Sequence, residues 1–381
     1  MAVIDQNRLA ETFRFLAEIS SVSKDEAGIF LELKKILESM GAEVLWDNAG
    51  AKIGSNADNL IARFKGTRSA PPLLLNAHMD TVGPGKGIKV LFKDGVFTSA
   101  GDTILGADDK SAIAVLLESI RVIQEKNIPC GPLELLLTIC EEVGLMGAKH
   151  LDYSLIAAKY GYALDATDIE GIITRAPGAK KLEIEVHGKE AHAGAAPEKG
   201  INAISIAAKA IAKLRLGRID EETTCNIGVI EGGIATNVIP RLVRVKGEAR
   251  SHSPEKLEAI TEEILSAFRE AVEKEKKSPE DELPALKIHL EHDFNRTDIP
   301  EDHPVIVHAV KAAKNLGMRL VPKTTGGGAD ANIFVEKGII VGVMGTGMQN
   351  MHSTNEYVAL ADMVKMAELI IEIIRLHAGT A

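Results

Sequence analysis

The chain has 381 residues, of which 45 % are apolar and 26 % are charged. This composition is typical of globular proteins and excludes disordered, collagen-like and low-complexity chains, and the length suits two or three domains. The net charge of −10 and the aromatic content of 4 % argue against nucleic acid as a partner, because phosphate backbones attract basic surfaces and bases stack on aromatic rings.

The three cysteines are widely spaced and form no CxxC motif, which is typical of a protein from a reducing compartment. The N-terminal segment lacks the apolar stretch of a signal peptide, and no apolar run reaches the roughly 18 residues that a membrane span needs. We therefore expect a cytoplasmic protein without a membrane partner.

The first part of the chain alternates between helix and strand patterns. Apolar residues at helical spacing predict a helix over residues 7–20 and a second helix after Ser23, where Glu26 would complete a capping box. Continuous apolar runs predict buried strands at PLLLNAHMD, LELLLTIC and YGYALDA, and residues 110–124 read as a deeply buried helix. This alternation favours an α/β domain whose mostly parallel sheet is covered by helices on both faces.

Residues 176–294 follow a different pattern, in which apolar and polar residues alternate along the predicted strands. The predicted order is β-α-β-β-α-β, and its long second helix begins with Ser253 as N-cap and Pro254 as the first helical residue. This order is typical of a ferredoxin-like α+β unit. We therefore predict a catalytic domain formed by residues 1–175 and 295–381, with a lid or dimerisation domain inserted at 176–294.

Histidines and acidic residues stand where the predicted buried strands end. His78 and Asp80 lie two residues apart, so they project from the same face of a strand at its carboxyl end. A carboxylate beside a histidine orients the ring as a metal ligand. The pair by itself would also fit an ordinary solvated loop.

The remaining groups of this kind are Asp108-Asp109 before the buried helix, Glu141-Glu142 after LELLLTIC, Asp165 in YGYALDA and His352 in MHSTNEY. Acids at a helix start can simply be capping residues, and a strand that runs into solvent would also explain the two glutamates. Carboxylates at the end of an apolar strand are otherwise costly unless a cation compensates them. Two histidines with several carboxylates suit zinc or a similar ion better than calcium, which prefers oxygen ligands, or an iron site with a single carboxylate.

Through these motifs, the chain resembles the di-zinc exopeptidase superfamily, which contains peptidase T, glutamate carboxypeptidases, aminoacylases and succinyl-diaminopimelate desuccinylase. The matching segments are NAHMDTV, ILGADDKSAIA, TICEEVGLMGA, YALDA, HGKEAHAG, ATNVIP and MHSTNEY. These segments span almost the full chain, and they occur in the same order as in the family. The segments around ADDK and CEEV are most similar to peptidase T, the tripeptide aminopeptidase.

The resemblance implies two zinc ions per subunit, which Co²⁺ or Mn²⁺ could replace. The implied ligands are His78 with Asp165 for one ion, Glu142 with His352 for the other, and Asp108 as the bridge. Asp80 would orient the His78 ring, and Glu141 would be the general base that acts on a metal-bridging water. Asp109 matches a position that binds no metal in many relatives, so it is left out of the predicted ligand set.

The resemblance also implies three substrate-binding residues in the inserted domain. His192 would stabilise the oxyanion, and Asn237 would contact substrate across the interface of a homodimer formed through this domain. Arg250 would bind the free carboxylate of the substrate, a task that suits the fork of a guanidinium group. The alternatives are a surface-loop histidine at 192 and a surface ion pair at Arg250.

The expected activity is hydrolysis of the N-terminal peptide bond of short peptides. An N-acyl amino acid deacylase or desuccinylase is the alternative, since it would share every metal residue. A zinc-binding scaffold without turnover is a third hypothesis, against which the intact Glu141 argues.

Overall fold

A computed structural model describes residues 3–379 of the chain. The helices are α1 Gln6–Glu18, α2 Ala27–Ser39, α3 Ala49–Ile53, α4 Ala107–Glu125, α5 Met146–His150, α6 Ala203–Ile211, α7 Pro254–Glu273, α8 Pro304–Leu316, α9 Asp330–Glu336 and α10 Leu360–His377. The strands are β1 Glu43–Trp46, β2 Leu60–Phe64, β3 Leu73–His78, β4 Val90–Lys93, β5 Val96–Ser99, β6 Leu133–Thr138, β7 Tyr160–Ala166, β8 Gly171–Ala176, β9 Gly178–His187, β10 Gly217–Arg218, β11 Thr223–Gly232, β12 Leu242–Ser251, β13 Ala285–Phe294, β14 Thr297–Asp298, β15 Val321–Thr324, β16 Ile340–Gly345 and β17 Tyr357–Ala359. Within the described part of the chain, none of these helices combines the length and the apolarity that crossing a bilayer requires.

The chain divides into two compact units. The first contains the described residues up to Arg175, then Asp298–Thr324 and the described residues from Ala329 onward, and the second contains Ala176–Thr297 with Thr325–Gly328. Residues Thr325–Gly328, which include three consecutive glycines, thus pack with the second unit, although the predicted catalytic domain of residues 1–175 and 295–381 includes them. The reason is a close approach, because a Cβ at Gly328 would lie 2.3 Å from the ring of Phe294.

The central sheet of the first unit has the order β1-β2-β6-β3-β7-β16-β8-β14, and β15 pairs with β8. Its core is parallel, since β6, β3, β7 and β16 all run in the same direction. Every residue of β3 and of β6 is buried. Because successive side chains point to opposite faces, both faces of these strands are covered. The predicted α/β class with a mostly parallel central sheet is confirmed.

The second unit is an antiparallel sheet in the order β10-β11-β12-β9-β13 with two helices, α6 and α7. Apolar residues of the strands, such as Ile184 and Val245, form one core with Ile264 and Phe268 of α7. Strands β13, β9, β12 and β11 lie side by side, which is the spatial order 4-1-3-2 of a ferredoxin-like fold, as predicted. The predicted cap of α7 is also present, because the Ser253 side chain accepts from the backbone N–H of Lys256 at 3.3 Å.

The capping box predicted before α2 is wrong. The Ser23 hydroxyl donates to Asp80 Oδ2 at 2.7 Å, and Glu26 occupies the N-cap position without a side-chain cap hydrogen bond. The Glu26 carboxylate is buried and accepts from the backbone N–H of Cys140 at 3.0 Å. Both side chains are thus engaged by distant segments, and these tertiary contacts replace the local cap.

Candidate metal centre and active site

The parallel strands of the first unit end at one edge of the sheet. Strand β3 ends at His78, β6 is followed by Glu141 and Glu142, β7 carries Asp165 near its end, and the loop after β16 carries His352. Because β6, β3, β7 and β16 are parallel neighbours, their carboxyl ends meet at this edge, where open α/β sheets hold their sites.

His78 is oriented from both sides of its ring. Its Nδ1 lies 3.0 Å from the backbone carbonyl oxygen of Asp80 and 3.4 Å from Asp80 Oδ1, and its Nε2 lies 3.1 Å from Asp108 Oδ1. The side chain is only 2 % exposed. Burial alone would lower the pKa of His78, but the hydrogen bonds to Asp108 and Asp80 hold that pKa above its usual range.

Asp108 connects the two histidines of the site. One of its carboxylate oxygens lies 3.1 Å from His78 Nε2, and the other lies 3.2 Å from His352 Nε2. His352 Nε2 also lies 3.0 Å from the carboxylate of Glu142. Burial alone would raise the pKa of Asp108, but hydrogen bonding to the two histidines lowers that pKa below its usual range. In turn, hydrogen bonds to Asp108 and Glu142 raise the pKa of His352 to about 10.

Glu141 is held by its backbone rather than by its side chain. Its N–H donates to Asp80 Oδ1 at 2.9 Å, and the N–H of Glu142 donates to Asp80 Oδ2 at 3.3 Å. Asp80 therefore positions both glutamates as well as the His78 ring. Burial, followed by the negative charge of Asp165, raises the pKa of Glu141 well above its usual range.

The residue before Glu141 is in a sparsely populated backbone conformation. Cys140 has a φ of +53°, which non-glycine residues rarely adopt. Its N–H and its thiol both lie against Glu26 Oε1, at 3.0 and 3.1 Å. Glu26 therefore holds the turn that aims Glu141, a role for which the sequence contains no local signal.

Among residues 3–379, two groups of three side chains have donor atoms that lie within 4.8 Å of one another. One group is His78, Asp108 and Glu142, and the other is Asp108, Asp109 and Asp165. Asp108 belongs to both, which suits a carboxylate shared by two cations. Two ligands of one tetrahedral zinc at about 2.0–2.2 Å lie about 3.3–3.6 Å apart. The separations of 3.1 and 3.2 Å between Asp108 and the two histidines, and of 3.0 Å between His352 and Glu142, are close to that value.

Asp109 is not in the predicted ligand set, but it lies within the cluster of acids. It is fully buried; its Oδ2 accepts from the backbone N–H of His78 at 3.2 Å, and its Oδ1 has no hydrogen-bond partner. Burial raises the pKa of Asp109, and burial followed by Asp108 raises that of Asp165. Such crowded acids fit a site that holds additional positive charge.

Two further acids at this edge are not among the predicted site residues. Glu356 is buried and accepts from the backbone N–H groups of Leu105, Gly106 and Asp108 at 2.7, 2.8 and 3.0 Å. Glu356 follows His352 by four residues. One short segment therefore carries a candidate metal ligand, His352, and the carboxylate that holds the backbone of a second candidate ligand, Asp108. Asp330 accepts from Thr138 and has one unpartnered buried oxygen, and burial raises its pKa to about 6.

The three predicted substrate-binding residues all lie in the second unit. His192 and Asn237 are exposed and adjacent, since the N–H of Ala193 donates to the backbone oxygen of Asn237 at 2.9 Å. Arg250 lies on β12 and is half-buried, with its guanidinium against Glu248 and near the Gly326 carbonyl oxygen. The seven predicted metal and catalytic residues lie together in the first unit.

The sequence matches two families of peptidases. Residues 174–276 match the peptidase dimerisation domain of M20 proteins, and residues 59–193 match peptidase family M28. The uncharacterised protein YqjE of Bacillus subtilis is 41 % identical over 373 residues, which cover 98 % of this chain and 99 % of that protein.

Two solved structures are similar over their full length. The aminopeptidase PepT from Bacillus cereus is 41 % identical with a TM-score of 0.88, and a tripeptidase from Staphylococcus aureus is 36 % identical with a TM-score of 0.93. Each similarity covers 99 % of this chain and 100 % of the other. The fold, the inserted unit and these similarities define a peptidase. The chain belongs to the M20 family of peptidases, and the predicted resemblance to the di-zinc exopeptidases and to peptidase T is confirmed.

Proposed function

We propose that this M20 peptidase removes the N-terminal residue of short peptides, tripeptides among them, at a centre of two zinc ions. The observation that carries the proposal is the placement of Asp108, whose two carboxylate oxygens each face a different histidine at 3.1 and 3.2 Å. The names of the similar proteins, an aminopeptidase and a tripeptidase, support the choice of substrate.

The proposed ligands divide into two sets around Asp108. His78 and Asp165 would hold one ion, and Glu142 and His352 would hold the other. The mixture of imidazole and carboxylate donors suits zinc, with Co²⁺ or Mn²⁺ as substitutes. When bound, the two metal ions would polarise the scissile carbonyl and lower the pKa of water at the site towards about 7.

Glu141 is the proposed general base. Its backbone is fixed by Asp80, and its carboxylate belongs to the buried cluster that includes Asp165. Burial raises the pKa of Glu141 in the metal-free protein, and a positioned carboxylate can accept a proton from water and return it to the leaving amine.

His192 is the proposed oxyanion donor. Its Nδ1 accepts from the backbone N–H groups of Gly194 and Ala195 at 3.2 and 3.0 Å. A neutral ring with an accepting Nδ1 carries its proton on Nε2. That N–H is the group that can donate to a developing negative charge. Asn237, beside it in the second unit, is proposed to contact the substrate, and Arg250 to bind its terminal carboxylate.

The proposal is tested by the choice of substrate and by metal content. After chelation the protein should lose activity towards Ala-Ala-Ala and regain it with two equivalents of Zn²⁺ per chain. N-acetyl-Ala and N-succinyl amino acids should not be hydrolysed, and cleavage of these alone would establish the deacylase or desuccinylase alternative.

The bridging role of Asp108 has its own variant. Asp108→Asn should reduce the bound metal below two ions per chain by elemental analysis, because it weakens both halves of the site. Asp94→Asn, at an exposed hairpin turn, is the matched control and should bind two ions. Full metal content in Asp108→Asn would contradict the proposed ligand set.

We also propose a homodimer formed through the second unit. Strand β11 pairs with β10 only at Thr224 and Cys225, so residues 226–232 leave an open sheet edge in the described structure. Ile230 and Ile234 beside this edge are 52 % and 84 % exposed. An open edge with exposed apolar residues favours pairing with another strand.

Light scattering during size exclusion tests the dimer. Ile230→Asp with Ile234→Asp should convert dimers into monomers, whereas Leu31→Asp, at a residue of the first unit that is 54 % exposed, should not. A wild-type protein that is monomeric at micromolar concentration would refute this assembly.

A cytoplasmic location is also proposed, because Cys130, Cys140 and Cys225 are free and buried.

A further inference from the structure

Arg250 is held side-on by a carboxylate of its own strand. Arg250 Nε donates to Glu248 Oε1 at 3.1 Å, and Nη2 donates to Glu248 Oε2 at 3.0 Å. The two residues lie two apart on β12, so they project from the same face of the sheet. Arg250 Nη1 donates to the Gly326 carbonyl oxygen at 3.4 Å.

This arrangement leaves part of the guanidinium available. An arginine side chain has five N–H groups. Glu248 takes the one on Nε and one on Nη2, and Gly326 takes one on Nη1. One N–H on each of the two terminal nitrogens remains, and N–H groups of a guanidinium form charge-assisted hydrogen bonds to a carboxylate.

Among the described residues, those paired directly with Arg250 across the sheet carry no charge. Its neighbours across the strands are Ala179 on β9 and Thr224 on β11, which are both small. Lys181 lies opposite Glu248, but its Nζ pairs with Asp293 at 3.0 Å. The carboxylate of Glu248 therefore pairs with Arg250 rather than with Lys181.

We propose that Glu248 is a positioning residue, which orders Arg250 before substrate arrives and leaves its terminal N–H groups for the carboxylate of a peptide. The inference rests on the proposed function, in which Arg250 binds that carboxylate. Ordering a long side chain in advance removes an entropic cost from binding. Glu248 thereby strengthens the preference of Arg250 for peptides with a free C-terminus over peptides whose C-terminus is blocked.

The test compares Ala-Ala-Ala with its C-terminal amide. In Glu248→Gln, we expect KM for the free acid to rise about three- to tenfold, which corresponds to the ordering cost of one side chain, with kcat within about twofold. KM for the amide should stay the same, because the amide carries no charge for Arg250 to bind. Glu248→Asp should restore part of the preference.

The matched control is Glu183→Gln. Glu183 lies on the same open face of the sheet and faces Lys246 at 3.9 Å, but it does not touch Arg250. It should leave both KM values unchanged. Thermal unfolding of each variant verifies that the second unit is folded, so a KM change confined to the free acid reports on Arg250 rather than on stability.

The outcomes separate this inference from the proposed function. If Arg250→Gln abolishes the preference for the free acid but Glu248→Gln does not change it, the role of Glu248 is refuted while that of Arg250 stands. Tighter binding of the free acid by Glu248→Gln would also refute the positioning role of Glu248, because Glu248 would then compete with the substrate carboxylate for Arg250. A wild-type enzyme that hydrolyses both peptides with equal KM would overturn the assignment of Arg250 itself.

Discussion

The replacement Glu141→Gln separates catalysis from folding at a single buried position. The change removes the proposed general base but keeps the shape of the side chain. Its backbone N–H still donates to Asp80, which holds the turn in place. General acid–base catalysis contributes about 10²–10⁴-fold to rate, which is about 2.7–5.4 kcal/mol of barrier at 1.36 kcal/mol per tenfold. We expect kcat to fall by that factor while two metal ions remain bound.

The same change should stabilise the metal-free protein at neutral pH. Burial raises the pKa of Glu141 above its unfolded value of about 4.5, so the folded state favours the protonated carboxyl. The stability associated with that proton is present below the unfolded pKa and is lost as pH rises through the folded pKa. Chelated Glu141→Gln should therefore unfold at a higher urea concentration than chelated wild type at pH 7–8, and the difference should shrink towards pH 4.5.

Glu134→Gln is the matched control for this experiment. Glu134 is a buried glutamate on β6 that accepts from the N–H groups of Ala157 and Ala158. Its amide variant should lose stability, on the order of 1–3 kcal/mol, with kcat unchanged. A Glu141→Gln enzyme that carries its metal and retains kcat within tenfold of wild type would refute the assignment of the base.

Two further predictions concern the acids of the site. Because burial raises the pKa values of Asp109, Glu141 and Asp165, these three carboxyl groups bind more protons in the folded metal-free protein than in the unfolded chain, and they should raise its Tm as pH falls from 8 to 6. The Zn²⁺-loaded protein should show a smaller change by calorimetry, and equal slopes would contradict a cation-dependent cluster. Glu356→Ala removes the acceptor of three backbone N–H groups, including that of Asp108, so urea unfolding should show a loss of about 3 kcal/mol or more. Zn²⁺ affinity of this variant should fall about tenfold or more in competition with a chelating dye, and unchanged affinity would show that Glu356 acts on the fold alone.

The residues at the strand ends are predictable because their signal is local. An uninterrupted apolar run marks a buried strand, and a polar group at its carboxyl end marks the edge where open α/β sheets place their sites. His78 and Asp165 both follow this pattern, and the structure places them at the same edge. The ferredoxin-like order of the second unit was predictable for the same reason, since alternation and helical spacing are properties of short windows.

The supporting contacts were not predictable in this way. Ser23 and Glu26 have the spacing of a capping box, yet their side chains bind Asp80 and Cys140 because those distant segments offer stronger partners. Glu356 reads as one more acid in MHSTNEY, and nothing in its neighbours indicates that it would accept three N–H groups from residues 105–108. Such contacts depend on loops that are remote along the chain.

The sequence by itself determined which residue types stand at which strand ends, and through them the class of fold and the chemistry of the donors, because periodicity and ligand preference are local properties. Only the tertiary structure decided that the two oxygens of Asp108 face different histidines and that Asp80 holds both glutamates. Only the folded β12 strand placed the Arg250 fork against Glu248 in side-on geometry. The physical reason is that hydrogen bonds act over about 3 Å, and separations on that scale are set by how distant segments pack.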